Sequence, residues 1–145
     1  MTQACPEKLD SCRLVMSGGE ALPLHLGRRW ASALASRGAH LVNVYGPTEA
    51  TIWATCHLID ESAAAIAIGR ALPGLTCLIT DEERIPISEY GVEGELVIGG
   101  VGVARGYLRR RELTAERFIA PPPVRMATAL VASSIVQVTW RGGMM

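Results

Sequence analysis

The chain has 145 residues, enough for one domain, and its 49% hydrophobic content supports a packed core rather than disorder. Fourteen Lys and Arg residues balance 14 Asp and Glu, so no whole-chain field draws it to nucleic acid or to an anionic membrane, and a functional site has to be local. No run approaches the roughly 18 to 20 continuous apolar residues of a membrane span, and MTQACPEKLD lacks the basic-then-apolar layout of a signal peptide, which makes a cytoplasmic setting the expectation.

In chain order, CRLVM is a short apolar run that ends at Ser17-Gly18-Gly19, which predicts a strand entering a tight turn. After Pro23, Leu24, Leu26, Trp30 and Leu34 recur at helical spacing among Arg28, Arg29 and Arg37, with Gly38 as terminator. HLVNVY is a second strand. Strand, helix, strand over so few residues predicts a parallel βαβ unit of an α/β fold, whose ligands lie beyond the carboxyl ends of the strands. Both the Gly18-Gly19 turn and the Gly46-Pro47-Thr48-Glu49 loop fall at such ends.

Beyond Glu49 the period becomes alternating. TIWATCHLI, LTCLIT, RIPI and GELVIGG predict short β-hairpins in a separate, more antiparallel layer. In GVGVARGYLRRRELTAERF, Leu113 and Phe118 sit among charges, and Thr114 is a candidate N-cap for a short helix. Cys5, Cys12, Cys56 and Cys77 form no Cys-x-x-Cys pair and have no histidines at metal-ligand spacing, so neither a disulfide nor a zinc site is expected. The last stretch, from about Ala127, differs in character: small and β-branched residues predominate, with no charge between Arg125 and Arg141.

NVYGPTEATIWAT and GELVIGGVGVARGYLRR resemble two core motifs of the adenylation domains of nonribosomal peptide synthetases, and LVMSGGEAL resembles the turn that precedes the first. The matches keep the family's order and cover about Leu14 to Ile119. They imply part of the large N-terminal domain of an adenylate-forming enzyme: a βαβ unit followed by short β-hairpins, with residues 1–126 a partial adenylation (AMP-binding) domain. Such domains are several times longer than this chain, so it reads as an internal piece.

The resemblance also implies a chemistry. The family activates a carboxylic acid with ATP and Mg²⁺ to an acyl-adenylate and pyrophosphate, then loads the acyl group on the phosphopantetheine thiol of a carrier protein. A carboxylate is a weak nucleophile, so it has to be held in line with the α-phosphate while the transition-state charge is stabilised. By resemblance Thr48 bonds that phosphate and Glu49 ligates Mg²⁺, a hard cation that prefers oxygen. Tyr45 lies against the adenine, the Gly18-Gly19-Glu20 backbone approaches its other face, and Asn43 reads its edge. The acyl side chain meets Val15, Ser17, Val44, Ile52 and Trp53; apolar walls with one hydroxyl and one indole suit a small or moderately polar amino acid, cysteine being one candidate. The glycine-rich second motif is expected to be structural, with Arg105 holding neighbouring loops. Implied partners are an amino-acid substrate and the peptidyl carrier protein and condensation domains of a parent synthetase.

Departures matter as well. The chain has no Ser/Thr/Gly-rich phosphate loop with its lysine, no downstream ribose-binding aspartate, and no small C-terminal domain with its lysine, so it is expected to be inactive alone. Alternatives are a fragment of an acyl- or aryl-CoA ligase and a non-catalytic nucleotide-binding remnant. Residues 127–145 are expected to be a frameshifted, disordered tail. The family's Tyr-Arg-Thr-Gly-Asp and Gly-Arg-x-Asp motifs are missing there. Joining the last base of each codon to the first two of the next permits Tyr, Arg, Thr and Gly from Ala127 to Val131. The same frame permits Gly, Arg and Asn and forces Asp from Arg141 to Met145.

Overall fold

A computed structural model describes residues 11–89 and 91–120 and the backbone of 135–138. These residues fall into two compact units, one of 11–45 and 56–69, the other of 46–55, 70–120 and 135–138.

The first unit contains the expected parallel pair. Strand β1 (Leu14–Ser17) and strand β2 (His40–Tyr45) align with Val15 opposite Leu41 and Ser17 opposite Asn43, and helix α1 (Leu24–Ala35) makes the crossover. Strand β3 (Thr55–Ile59) lies on the far side of β2. Parallel strands cannot be joined by a tight turn, which is why 22 intervening residues, 18 to 39, carry a helix. The helix starts directly after Pro23, whose carbonyl accepts from Gly27 N at 2.9 Å. It ends where Gly38 adopts φ +70° and Ala39 N bonds back to the Leu34 carbonyl at 3.0 Å, the left-handed stop that a glycine there predicts.

Ala31, Leu34, Ala39, Leu41 and Ile59 form the core of this unit, with Val15, Leu22, Trp30, Ala63 and Ile66 packed around them. Gly27 is the point of closest approach: a Cβ there would lie 2.6 Å from Ile66 Cδ1, so the helix gives up some propensity to bring the 63–66 segment in. Pleat alternation puts Leu14 and Met16 on the other face of β1, where both remain about half exposed.

The second unit is antiparallel, as expected. After the short β4 (Arg70–Ala71), strand β5 (Leu75–Thr80) pairs with β6 (Glu95–Gly100) from Leu75 opposite Gly100 to Thr80 opposite Glu95. RIPI does not become a strand. Pro86 cannot donate to a ladder, and the segment makes only an isolated bridge from Thr80 to Pro86 plus an Ile87 N to Ile79 O bond of 2.8 Å. The front of TIWATCHLI also departs from expectation. Thr48–Ala50 is a 3-10 turn, Thr51 and Ile52 take φ of 59° and 72°, and only Thr55–Ile59 is extended.

Helix α2 (Arg111–Arg117) runs directly into β7 (Phe118–Ile119). Thr114 is not its N-cap but an interior residue, because the helix begins three residues earlier. Strand β8 (Ile135–Val138) lies between β6 and β7, antiparallel to both. Strand β8 thus has a strand neighbour on each side. The rest of 127–145 lies outside the described residues.

Cys12, Cys56 and Cys77 are free thiols. Burial pushes the Cys77 thiol up from 9.0 to about 11, because the thiolate would be poorly solvated in β5. The folded chain therefore holds this proton more tightly than the unfolded chain. That contribution to stability is complete below pH 9 and is lost as pH rises through about 11. Cys77→Val is expected to flatten the alkaline fall in thermal midpoint, and Cys77 itself to react with iodoacetamide more slowly in the folded chain than in denaturant; mass spectrometry of time points reads this out.

Candidate functional site

The residues singled out by sequence divide between the two units. In the first, the parallel register of Ser17 with Asn43 brings the ends of β1 and β2 to one edge of the sheet. Gly18, Gly19 and Glu20 follow β1 as exposed backbone, and Gly19 has φ +88° with nothing within 4 Å of the place a Cβ would occupy. A flat ring could approach such a stretch closely. Asn43 is 7% exposed, and its amide nitrogen donates to the Ala67 carbonyl at 2.8 Å. Tyr45, half-buried, is the last residue of β2. Ser17 ends β1 half-buried, Val15 packs against the core beneath α1, and Val44, 4% exposed, points to the opposite face of β2 from Asn43.

The second unit holds the Thr48-Glu49 loop. Gly46 is required there by sterics: a Cβ would fall 2.5 Å from Ile52 O and 2.6 Å from Ala54 N, so the turn folds onto the backbone that follows it. Pro47 fixes φ at −78° ahead of the 3-10 turn. Thr48 is exposed, with its hydroxyl unpaired among the described residues, while Glu49 is half-buried. Thr51 and Ile52 are β-branched residues in the left-handed region, a conformation that persists only when neighbouring bonds hold it. Those bonds come from the glycine-rich second motif. Thr51 Oγ1 donates to Gly102 O at 2.5 Å, and Ala104 N donates to Glu49 O at 2.7 Å. Ile52 is 61% exposed and Trp53 half-buried.

One partner was not foreseen in the sequence. The Tyr107 hydroxyl donates to Glu49 Oε1, 58 positions away. The carboxylate that accepts this bond, together with desolvation, pushes the phenol above its ordinary range, so the proton stays on Tyr107. Tyr107 is held in turn: its N–H donates to Thr114 Oγ1 at 2.9 Å, the Thr114 hydroxyl donates back to Arg110 O at 2.8 Å, and its ring meets Phe118 edge-on with centroids 5.4 Å apart. Arg105, expected to hold these loops, is exposed and makes no hydrogen bond or ion pair among the described residues; Thr51, Ala104 and Tyr107 do that work instead. The glycines gave the motif's structural character in the sequence. Nothing in its spacing pointed to a tyrosine aimed at Glu49.

Among the described residues no group of three or more His, Cys, Asp or Glu could enclose a metal. Glu49 alone is a fit for Mg²⁺, which keeps several waters and is held by one or two carboxylates plus substrate phosphates rather than by an all-protein cage. The donor set suits a metal that arrives with a phosphate.

Solved structures define the class to which this arrangement belongs. A nonribosomal peptide synthetase protein containing adenylation and PCP domains aligns over 92% of this chain and 26% of its own, at TM-score 0.79 and 32% identity. The Klebsiella oxytoca NpsA N-terminal subdomain, in complex with 3-hydroxybenzoyl-AMSN, aligns over 92% of this chain and 33% of its own, at TM-score 0.76 and 28% identity. The fold is that of part of the N-terminal domain of a synthetase adenylation domain. The AMP-binding enzyme family model matches residues 1–108, and the chain belongs to that family. Tyrocidine synthase 3 of Brevibacillus parabrevis is 44% identical over 124 residues, 84% of this chain and 2% of the relative. Novobiocin biosynthesis protein H of Streptomyces niveus is 39% identical over 117 residues, 81% of this chain and 18% of the relative. The chain thus spans a small part of the length of the curated relatives it matches.

The left-handed pair is testable. Ile52→Asn, which replaces an exposed β-branched residue by one that tolerates this conformation, is expected to stabilise the full adenylation domain by about 1 kcal/mol in thermal unfolding.

Proposed function

We propose that the chain is part of an amino-acid-activating adenylation domain of a nonribosomal peptide synthetase, inactive by itself, in a cytoplasmic setting. The complete domain would join an amino-acid carboxylate to the α-phosphate of ATP, release pyrophosphate, and pass the aminoacyl group to the phosphopantetheine thiol of a peptidyl carrier domain. The observation that carries this is the loop at Thr48-Glu49: a hydroxyl unpaired among the described residues beside a fixed carboxylate, in a short 3-10 turn that leads directly into the left-handed Thr51-Ile52 pair.

Within that function Thr48 donates to the α-phosphate and Glu49 holds Mg²⁺. The ion, when bound, neutralises phosphate charge as it builds up in the transition state. Gly18, Gly19 and Glu20 offer backbone to one face of the adenine and Tyr45 its ring to the other. Asn43 fixes the 67 segment through its amide nitrogen, leaving its carbonyl oxygen to the adenine amino group. On the resemblance of their motifs alone, Val15, Ser17, Val44, Ile52 and Trp53 are the residues proposed to select the amino-acid side chain; Ser17 shares its sheet face with Asn43, and Val44 is on the other. One neighbour is in complex with 3-hydroxybenzoyl-AMSN, which carries an aryl acyl group, so the acid class is the point to test.

Pyrophosphate exchange in the full adenylation domain, run with amino, aryl and fatty acids in turn, decides it. Amino-acid dependence is expected; exchange with aryl or fatty acids alone moves the chain to the ligase class. Thr48→Val is expected to lower turnover on the order of 100-fold, the usual loss of one transition-state donor, and Glu49→Gln by at least as much with the fold retained. Unchanged rates in both variants would remove this reading of the loop.

Residues after about Met126 are proposed to carry no functional site. Sequencing the gene checks this. The frame shifted at Ala127 is expected to encode Tyr-Arg-Thr-Gly and, further on, Gly-Arg-x-Asp, and a frame without them refutes it.

A further inference from the structure

We propose that Tyr107 is a positioning residue for the reaction: it ties one oxygen of Glu49 and so presents the other to Mg²⁺ as a single-oxygen ligand. The inference rests on Glu49 being the metal ligand, as proposed above, and adds a residue and a selectivity to it.

A glutamate side chain loses rotamer freedom on ordering, a cost a metal would otherwise have to supply at binding. Here both ends of Glu49 are already fixed. Its backbone carbonyl takes the Ala104 N–H, and its Oε1 takes the Tyr107 hydroxyl. Tyr107 cannot follow a wandering carboxylate, because Thr114 fixes its backbone and Phe118 its ring. Gly106 makes that geometry possible: with φ +134°, any Cβ there would collide with the Thr114 side chain.

The chemistry of the holder matters as much as its rigidity. A lysine or arginine in the same place would cancel the carboxylate charge and compete with the cation, but a neutral phenol orients the anion and leaves the charge intact. No cationic side chain pairs with Glu49 among the described residues. With Oε1 engaged, Glu49 is a one-oxygen ligand. That suits Mg²⁺, which demands short octahedral bonds, and disfavours Ca²⁺, which readily takes a carboxylate through both oxygens. The Gly-rich motif therefore acts on the chemistry through one hydroxyl rather than by packing alone.

The test uses the full adenylation domain with Tyr107→Phe, Glu49→Gln and the double variant. Mg²⁺ and Ca²⁺ binding in the presence of a non-hydrolysable ATP analogue is measured by calorimetry, beside the Mg²⁺ dependence of pyrophosphate exchange. Tyr107→Phe keeps the ring against Phe118 and is expected to weaken Mg²⁺ about tenfold, the usual effect of losing a partner that orients a metal ligand. Ca²⁺ should be weakened less and amino-acid KM should not move. In the Glu49→Gln background Tyr107→Phe should add little, since its effect passes through the carboxylate. If Glu49→Gln leaves Mg²⁺ binding unchanged, the assignment of Glu49 fails and Tyr107 falls with it. If Glu49→Gln weakens Mg²⁺ but Tyr107→Phe does not, or weakens both metals equally, the role of Tyr107 is overturned and that of Glu49 stands.

Discussion

The parallel pairing of β1 with β2 is the constraint from which the first unit follows. Two parallel strands need a crossover, the crossover is α1, and α1 can cover only one face of the sheet. Both strands then end at the same edge, so the chain leaves Ser17 and Tyr45 in the same direction. The Gly18-Gly19-Glu20 backbone and the Asn43 amide share an edge for this reason, not through any direct bond between them. On the face away from α1, Leu14 and Met16 are half in water, while Val44 at the far end of β2 is buried.

In the second unit the energetics centre on the loop from Gly46 to Ala54. Two non-glycine residues in the left-handed region cost roughly 1 to 3 kcal/mol each. The Thr51 to Gly102 and Ala104 to Glu49 bonds return about 0.5 to 1.5 kcal/mol each, and a bond to a charged group such as the Glu49 carboxylate about 1.5 to 3. These sums are of the same size, so the loop keeps its shape only with the 102–107 segment beside it. The two sequence motifs are thus one mechanical piece, although 52 residues separate Glu49 from Gly102.

What was legible in the sequence had a period or a forced residue behind it. The strand, helix, strand order followed from spacing, and Gly38 marked the helix end because only glycine takes that conformation cheaply. The antiparallel β5 and β6 pair showed in alternation. The failures came where tertiary bonds overrode local preference. Thr51 and Ile52 have the composition of a strand, yet Gly46 and Gly102 draw them into a left-handed turn. Thr114 has the chemistry of an N-cap, but its hydroxyl is more useful one turn into α2, where it receives the Tyr107 N–H. Arg105 looked like the holder because charge stands out in a sequence. A phenol two residues later did not, since its partner is 58 positions away.

Strand β8 has a consequence for how such a chain tolerates change. Its place between β6 and β7 is defined by main-chain pairing, Leu96 with Val138 through Gly99 with Ile135 on one side and Phe118 with Val136 on the other. Amide and carbonyl groups are the same in every residue but proline, so this position in the sheet asks for little more than a short β-branched run. The stretch Ile135-Val136-Gln137-Val138 meets that requirement with three β-branched residues out of four. A strand held in this way constrains its sequence loosely, while the loop at Glu49, which depends on particular side chains, constrains it closely.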